Sequence, residues 1–460
     1  MVVPLLCIDV PQLRRDAHAG RVSMEQLLDL IDKQQQTIQG VRRENQHLRE
    51  RLAAYEPESR SAPQPDSERP TKSYSVDAEE SRRRRTRRRR RKTSPGRRPT
   101  ELKFADSERR QNIYPDGVRH ADCQLVRERA VWRLEKGRAV RVGYRIFAGP
   151  GGKEPRIPGV TPRCEYGIEI LVVLAFLVYI IGISLDKACA VLAFFCQLPL
   201  AKSQADALLR QLAQHWDGEF DLLCALIAQA AVVHMDETSW KIGSMPCSLW
   251  AFASRMQRVF LFGCRKDDDT IDEILPPNVF EGIGVSDDAS VYRDRFVQAQ
   301  KCWAHLLRKA IRLALLYPHI KTYQRFLDRL LELYYDAKRV AADGRLGAAG
   351  RQSRVCDLEN RLLTLCRPYC HATTANMKPY QRDFSNLNEE LTRLLLAGEL
   401  FTFVLYEGVE PTNNVMEREL RGPALDRKAG RTNKTATGAR RRTVIVSVLE
   451  SLRANLEQFE

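Results

Sequence analysis

The sequence predicts a multi-domain chain: an N-terminal coiled coil, a mostly helical region, and an α/β core interrupted by a long helical insertion. Three observations carry that expectation. Apolar residues recur every three or four positions from Met24 to Leu52, five short apolar runs crowd between Ala230 and Cys302, and from His305 to about Leu405 the spacing is helical almost throughout. Length agrees: 460 residues, 43% apolar and 29% charged, are too many and too mixed for one small module or a wholly disordered chain.

Lys plus Arg (74) exceed Asp plus Glu (58) by 16, which makes a polyanion the first partner to consider. The surplus is uneven. Between Arg82 and Arg98 stand twelve basic residues and no acid, so the rest of the chain is only mildly basic. Twelve cysteines are scattered without a C-x-x-C pair, several inside apolar runs, as free thiols in a reducing compartment are. The start of the chain lacks a secretory pattern, and the most apolar stretch, Ile170 to Ile183, is fourteen residues, short of a bilayer span. A buried core helix, no membrane partner and a cytoplasmic, nucleoid-associated location are expected.

Taken in order, residues 20–55 read as a leucine-zipper-like coiled coil. Met24 opens the heptad, with Leu27 and Leu48 at position d and Asn45 at position a, where a buried amide pair favours a parallel dimer. Residues 56–100 are poor in aromatics and rich in Pro, Ser, Glu and Arg, as disordered linkers are. Within them Arg82–Lys92 can neutralise phosphates but has no spacing to read bases. Residues 101–225 are expected to be mostly helical and to bind DNA, with a short hairpin between Val131 and Phe147. Helices are expected at Glu165–Ile181, Leu185–Cys196 and Lys202–His215, the last capped by Ser203. The second and third suit either a helix-turn-helix DNA reader or a plain helical subdomain.

The core begins at 226–304. Ala230–Met235 reads as a doubly buried strand ending at Asp236; Ser248–Ala253 and Val259–Gly263 as a hairpin; Gly282–Ser286, ending at Asp287, and Gln298–Cys302 as two more strands. Residues 305–410 form the insertion. Residues 411–460 return to the core, with helices at Asn413–Arg421, stopped by Gly422-Pro423, and Thr443–Glu457. Asp236, Asp287 and Glu417 stand out as acids at element ends or on a short capped helix. Such oxygen ligands suit Mg²⁺. Taken singly, Asp287 is equally well a helix cap and Glu417 a surface partner of Arg421.

Four motifs, in order, carry a resemblance: Asp236-Glu-Thr-Ser-Trp240, Ser286-Asp-Asp-Ala-Ser-Val-Tyr292, Cys302-Trp-Ala-His-Leu-Leu-Arg-Lys309 and Thr412-Asn-Asn-Val-Met-Glu-Arg-Glu-Leu-Arg421. Together they resemble transposases of the insertion sequence 66 family, and Arg427-Lys428 and the helix Ser447 to Leu452 resemble its C-terminal block. The resemblance implies an RNase H-like catalytic domain with an Asp-Asp-Glu triad, matched here by Asp236, Asp287 and Glu417. Asp287 is chosen over Asp288 because the family's tyrosine falls five positions after its acid, as Tyr292 does after Asp287. It further implies two Mg²⁺ ions, with Mn²⁺ as a substitute, held by the triad, and DNA strand cleavage followed by strand transfer. Double-stranded DNA at the element ends and target is the implied partner, with companion proteins encoded by the element as further candidates; the heptad seam adds the expectation of a homodimer or higher oligomer.

Two features depart from the family pattern. Its paired zinc-finger cysteines are not matched: between the linker and the helical region only His120, Cys123 and Cys164 are available, and no zinc is expected. Asp288 stands where the family usually has Gly. Cys302 and His305 share a helix face, but two ligands make no metal site; a structural link from strand to helix is expected there, and His234 is expected to be a satisfied core residue. Two rival functions stay open: a nuclease of the same fold, and a DNA-binding protein that has lost catalysis.

Overall fold

A computed structural model of the chain describes residues 98–152, 154–370 and 377–456, together with Gln36 and Gly40. The expected coiled coil at 20–55 and the arginine run of the linker therefore lie outside the described residues, apart from those two positions.

The stretch expected to be mostly helical opens instead with a sheet. Helix α1 (Thr100–Ala105) leads into β1 (Arg109–Ile113) and the hairpin β2 (Gln124–Glu135) and β3 (Arg138–Ala148), with β1 parallel and β2 antiparallel to β3. The hairpin is longer than the one expected. Its turn, Lys136-Gly137, holds both residues at positive φ, 51° and 80°, the conformation that matches strand twist in two-residue loops. Charged residues had masked these strands. They line one face in cross-strand pairs, such as Glu128 opposite Arg145 at 3.0 Å, while Val131, Val142, Tyr144 and Ile146 bury the other.

Four helices follow: α2 (Ile168–Ala175), widening into a π-helical turn at Phe176–Ile180, α3 (Leu185–Phe195), α4 (Lys202–His215) and α5 (Asp217–Ala228). The first three lie close to their expected positions; α5 was not anticipated, because only Trp216 separates it from α4. Ser184, not Ser203, is a capping side chain here, its Oγ accepting from Lys187 N at 3.3 Å. Helix α4 buries Ala205, Leu208, Leu209 and Leu212, a face of period 3.6. These residues join Ile170, Leu171 and Leu174 of α2 in a core that continues into the larger sheet. The boundary expected at residue 225 thus cuts through a single core. Among the described residues, no helix is long and apolar enough to cross a membrane.

The larger sheet has the order β6-β5-β4-β7-β8. Strands β4 (Val232–Ile242), β5 (Met245–Ala253) and β6 (Arg258–Cys264) form an antiparallel meander; β7 (Ile283–Ser286) and β8 (Gln298–Lys301) run parallel to β4 on its other side. Helix α6 (Asp268–Ile274) makes the first crossover. The chain therefore has a mixed α/β core, with β4 at the centre of its sheet.

After β8 come α7 (Trp303–Leu316), α8 (Lys321–Ala342), α9 (Ala348–Cys366), α10 (Pro379–Leu396) and α11 (Thr402–Leu405). They share a second core, seeded by Trp303 and continuous with Ile283 and Val285 of β7. The chain returns through α12 (Asn414–Glu419), α13 (Arg421–Lys428) and α14 (Ala436–Leu456). Gly422-Pro423 was expected to stop a helix; it lies in the first turn of α13, where a missing N–H costs nothing. Helix α14 covers the outer edge of β6. Hydroxyls of Thr443, Ser447 and Ser451, one helical turn apart, accept from the backbone N–H groups of Phe262, Phe260 and Arg258 at 3.0, 2.9 and 2.8 Å. An edge that could pair with another strand is thereby closed.

Candidate active site

Asp236 lies in the middle of β4. It was expected at the strand's end, because the apolar run stops at Met235, but pairing with β5 carries the strand on to Ile242. The parallel register of β4 and β7 sets His234 beside Val285, so two residues further on Asp236 is level with Asp287, just beyond the end of β7. Adjacent strands are about 4.8 Å apart, and the two acids come from neighbouring strands. Each is fixed by local backbone: Asp236 Oδ1 accepts from Glu237 N at 2.8 Å, and Asp287 Oδ1 from Ala289 N at 2.9 Å.

Glu417 arrives from the far end of the chain. Met416 of α12 and Leu420, which ends it, bury against Trp240, Leu249 and Phe260 of the sheet, which fixes the helix that carries Glu417. Asn413 ties the start of this helix to β4. Its Nδ2 donates to Met235 O at 2.8 Å, its backbone N–H to Cys302 Sγ at 3.1 Å, and its Oδ1 is 3.1 Å from Nδ1 of His234. An amide oxygen only accepts, so the His234 ring carries its proton on Nδ1. The core role expected of His234 and the structural link expected of Cys302 both match what is seen.

The electrostatics of the three acids differ sharply. The carboxyl of Asp236 is pushed up from an ordinary 3.8 to about 7, by burial first and then by the negative charges of Asp287, Glu237 and, more weakly, Glu417. Among the described residues no cation pairs with Asp236 directly. Glu417 is in contact with Arg308 of α7, and Nε2 of His305 lies 3.9 Å from it. Burial and the Arg308 charge hold the His305 imidazole below its usual range.

Asp288 faces elsewhere. It pairs with Arg293 at 3.2 Å and contacts Arg393 of α10. Burial pushes its carboxyl up, but hydrogen bonds and charge from these two arginines outweigh it and hold the group below the ordinary value. It does not figure among the charges that move Asp236, whereas Asp287 does. Beside Asp236, Glu237 accepts from the buried Tyr292 hydroxyl at 2.5 Å and pairs with Lys266. Arg427 donates to Thr238 Oγ1 and Ser239 O, both at 2.8 Å, fastening α13 to the same strand. A cavity of about 580 Å³ opens beside Asp287 and is lined by Lys301, His305, Lys309 and Arg393 among others.

Asp287 and Glu417 thus both fall within electrostatic reach of Asp236, though no group of three His, Cys, Asp or Glu side chains among the described residues is gathered closely enough to grip an ion. Residues 163–441, more than half of the chain, match the family model described as Transposase IS66 family. The chain belongs to the transposase IS66 family. The match spans all four motifs and all three acids. No curated protein matches the chain. Family membership implies a nucleic-acid-processing enzyme that acts in transposition.

Sequence reasoning passed over Asn413 and Arg308. Both lie inside quoted motifs; Asn413 stands where a capping side chain is expected, yet its amide bonds across to β4 instead of capping the helix. The three zinc candidates do not meet at a shared site: His120 stacks on Tyr114 at 3.9 Å, Cys123 donates to Arg119 O, and Cys164 is buried in the main core.

Proposed function

We propose that the chain is a cut-and-join DNA transposase in which Asp236, Asp287 and Glu417 hold two Mg²⁺ ions on an RNase H-like domain. The observation that carries this is the carboxyl of Asp236, raised to about 7 by burial and by crowding from Asp287 and Glu417. Acids so placed repel one another, and an all-oxygen set of this kind fits a small hard cation. The sheet order, an antiparallel meander with two parallel strands added beside its first strand, supports the fold assignment. Such ions supply charge for an attacking oxygen and for the departing one in phosphodiester exchange.

The protein's own part is to position these oxygens. Asp236 is fixed on β4 and Asp287 just past the end of the neighbouring β7, and Asn413 sets the entry of α12, which carries Glu417. Water displaces the 3′ oxygen at an element end, and the freed 3′ hydroxyl then displaces an oxygen in target DNA; one P–O bond forms as another breaks. Double-stranded DNA is the partner, with chain pairing through residues 20–55 as the route to two copies.

Cleavage and joining of a duplex carrying the terminal repeats of the chain's own element test the reading. Asp236→Asn, Asp287→Asn and Glu417→Gln should each lower cleavage by about 10³-fold or more, since several kcal/mol of metal-borne stabilisation are lost. Cleavage surviving in Asp287→Asn but not in Asp288→Asn would reassign the second acid. Cleavage without joining would leave a nuclease.

A further inference from the structure

Among the described residues, Glu417 alone of the three acids is paired with a cation. Asp236 sits on β4 and Asp287 just beyond the end of β7, each with an oxygen held by a nearby backbone N–H group. Glu417 has a longer side chain on a helix, and its Oε1 contacts Nη2 of Arg308. It nevertheless remains within electrostatic reach of Asp236. Two acids are therefore preset, while the third is held by a guanidinium. Arg308 lies one turn along α7 from His305, which itself feels the charges of both Asp287 and Glu417. Its side chain is about half exposed, so once released from Glu417 it can face solvent or a bound polyanion.

We propose that Arg308 is a positioning residue that holds Glu417 until the divalent cations bind and then pairs with a DNA phosphate. The proposal rests on the reading of the acids given above. A side-chain rotation of Glu417 exchanges one counter-charge for another with the sheet unmoved. The guanidinium fork suits a carboxylate and a phosphodiester equally. The order of events follows: without cation, Arg308 neutralises Glu417; with cation, the freed Arg308 adds a contact to the nucleic acid backbone.

Two measurements on the full chain test this. The first is binding of Mn²⁺ alone, followed by electron paramagnetic resonance without DNA. If Arg308 competes with the cation for Glu417, Arg308→Gln binds Mn²⁺ about two- to fivefold more tightly than the parent, the range expected for removal of a partly exposed ion pair. Arg308→Lys, which keeps the charge, stays near the parent. The second is DNA affinity against salt with Mn²⁺ present: Arg308→Gln should flatten the slope of log K by about 0.9, the share of one phosphate contact. Unchanged or weaker Mn²⁺ binding by Arg308→Gln overturns the proposal, as does an unchanged salt slope. Glu417→Gln separates the two levels. If it binds Mn²⁺ as well as the parent, Glu417 is no ligand and both readings fall. If it binds more weakly while Arg308→Gln is unaltered, only the exchange falls.

Discussion

Asp426 and Asp236 are both carboxylates set against the same sheet, and the fold treats them in opposite ways. Asp426 on α13 is buried, contacts Arg442 and lies 2.9 Å from Arg431. Arg442 is itself buried, its guanidinium about 5.0 Å from the ring of Trp240 and 4.9 Å from that of Phe262. Asp236 has no such partner among the described residues and faces more negative charge. Where an acid serves the fold, the chain supplies the cation from its own sequence. At Asp236 the described residues supply none, and on the reading proposed above the metal ions would take that place.

That contrast breaks first at Asp426. Replacing it by Ala strands Arg442 among aromatic rings with no carboxylate, and removing one partner of a buried pair costs about 3–5 kcal/mol. Denaturant unfolding of Asp426→Ala measures it. A loss under about 1 kcal/mol would mean that the arginines find water or other acceptors, and that the two aspartates are not so different.

Asn413 comes next because it joins the two kinds of region. Asn413→Ala leaves the Met235 carbonyl and the His234 ring without their partner in a buried place, which costs about 2 kcal/mol. Cleavage should fall further than stability does, since the helix carrying Glu417 loses its tie to β4. Equal losses in both would make Asn413 a residue of the fold alone.

How much of this was legible depends on what each residue's neighbours are. The run Ala230–Met235 announced a buried strand because a doubly covered strand is apolar on both faces. Its continuation through Asp236 was invisible: past Met235 the residues turn polar, and only pairing with β5 keeps them extended. The hairpin β2–β3 was half visible, because arginine and glutamate fill its exposed face and Lys-Gly is a weaker turn signal than Asn-Gly. The three acids could be nominated from motifs that resemble a family. That Asp236 lies level with Asp287 is a matter of strand order and register, and that Glu417 comes within reach of Asp236 is a matter of how α12 packs. The Arg308–Glu417 contact joins residues of two helices from separate parts of the chain, and no local pattern encodes it.

Asp236 offers a smaller effect of opposite sign. Its carboxyl titrates near 7 in the fold against an ordinary 3.8, so folding favours the protonated form. The contribution of this residue to stability is fully present below about pH 4, where it is protonated folded or unfolded, and is lost as the pH rises towards 7. In chelator at pH 8, Asp236→Asn should therefore be more stable than the parent by about 1–3 kcal/mol. Added Mn²⁺ should narrow the gap by stabilising the parent alone. A variant no more stable than the parent in chelator would show that Asp236 finds enough water to carry its charge without cost.

The smallest effect sharpens the comparison from outside it. Glu128 and Arg145 face each other across β2 and β3, partly exposed, at 3.0 Å. Here neither charge is trapped: each side chain reaches solvent, and the pair gains only what a cross-strand contact in a high dielectric gives, about 0.2–1 kcal/mol. Arg145→Gln should cost no more than that in dilute buffer. The cost should shrink in about 1 M salt, where the screening length falls to about 3 Å. The loss in Asp426→Ala should persist in the same salt, because ions do not enter a core shared by Arg442, Trp240 and Phe262. If instead salt erased the Asp426 effect as readily as the Arg145 effect, the buried pair would be wet, and burial would not be what separates an acid of the fold from an acid of the site.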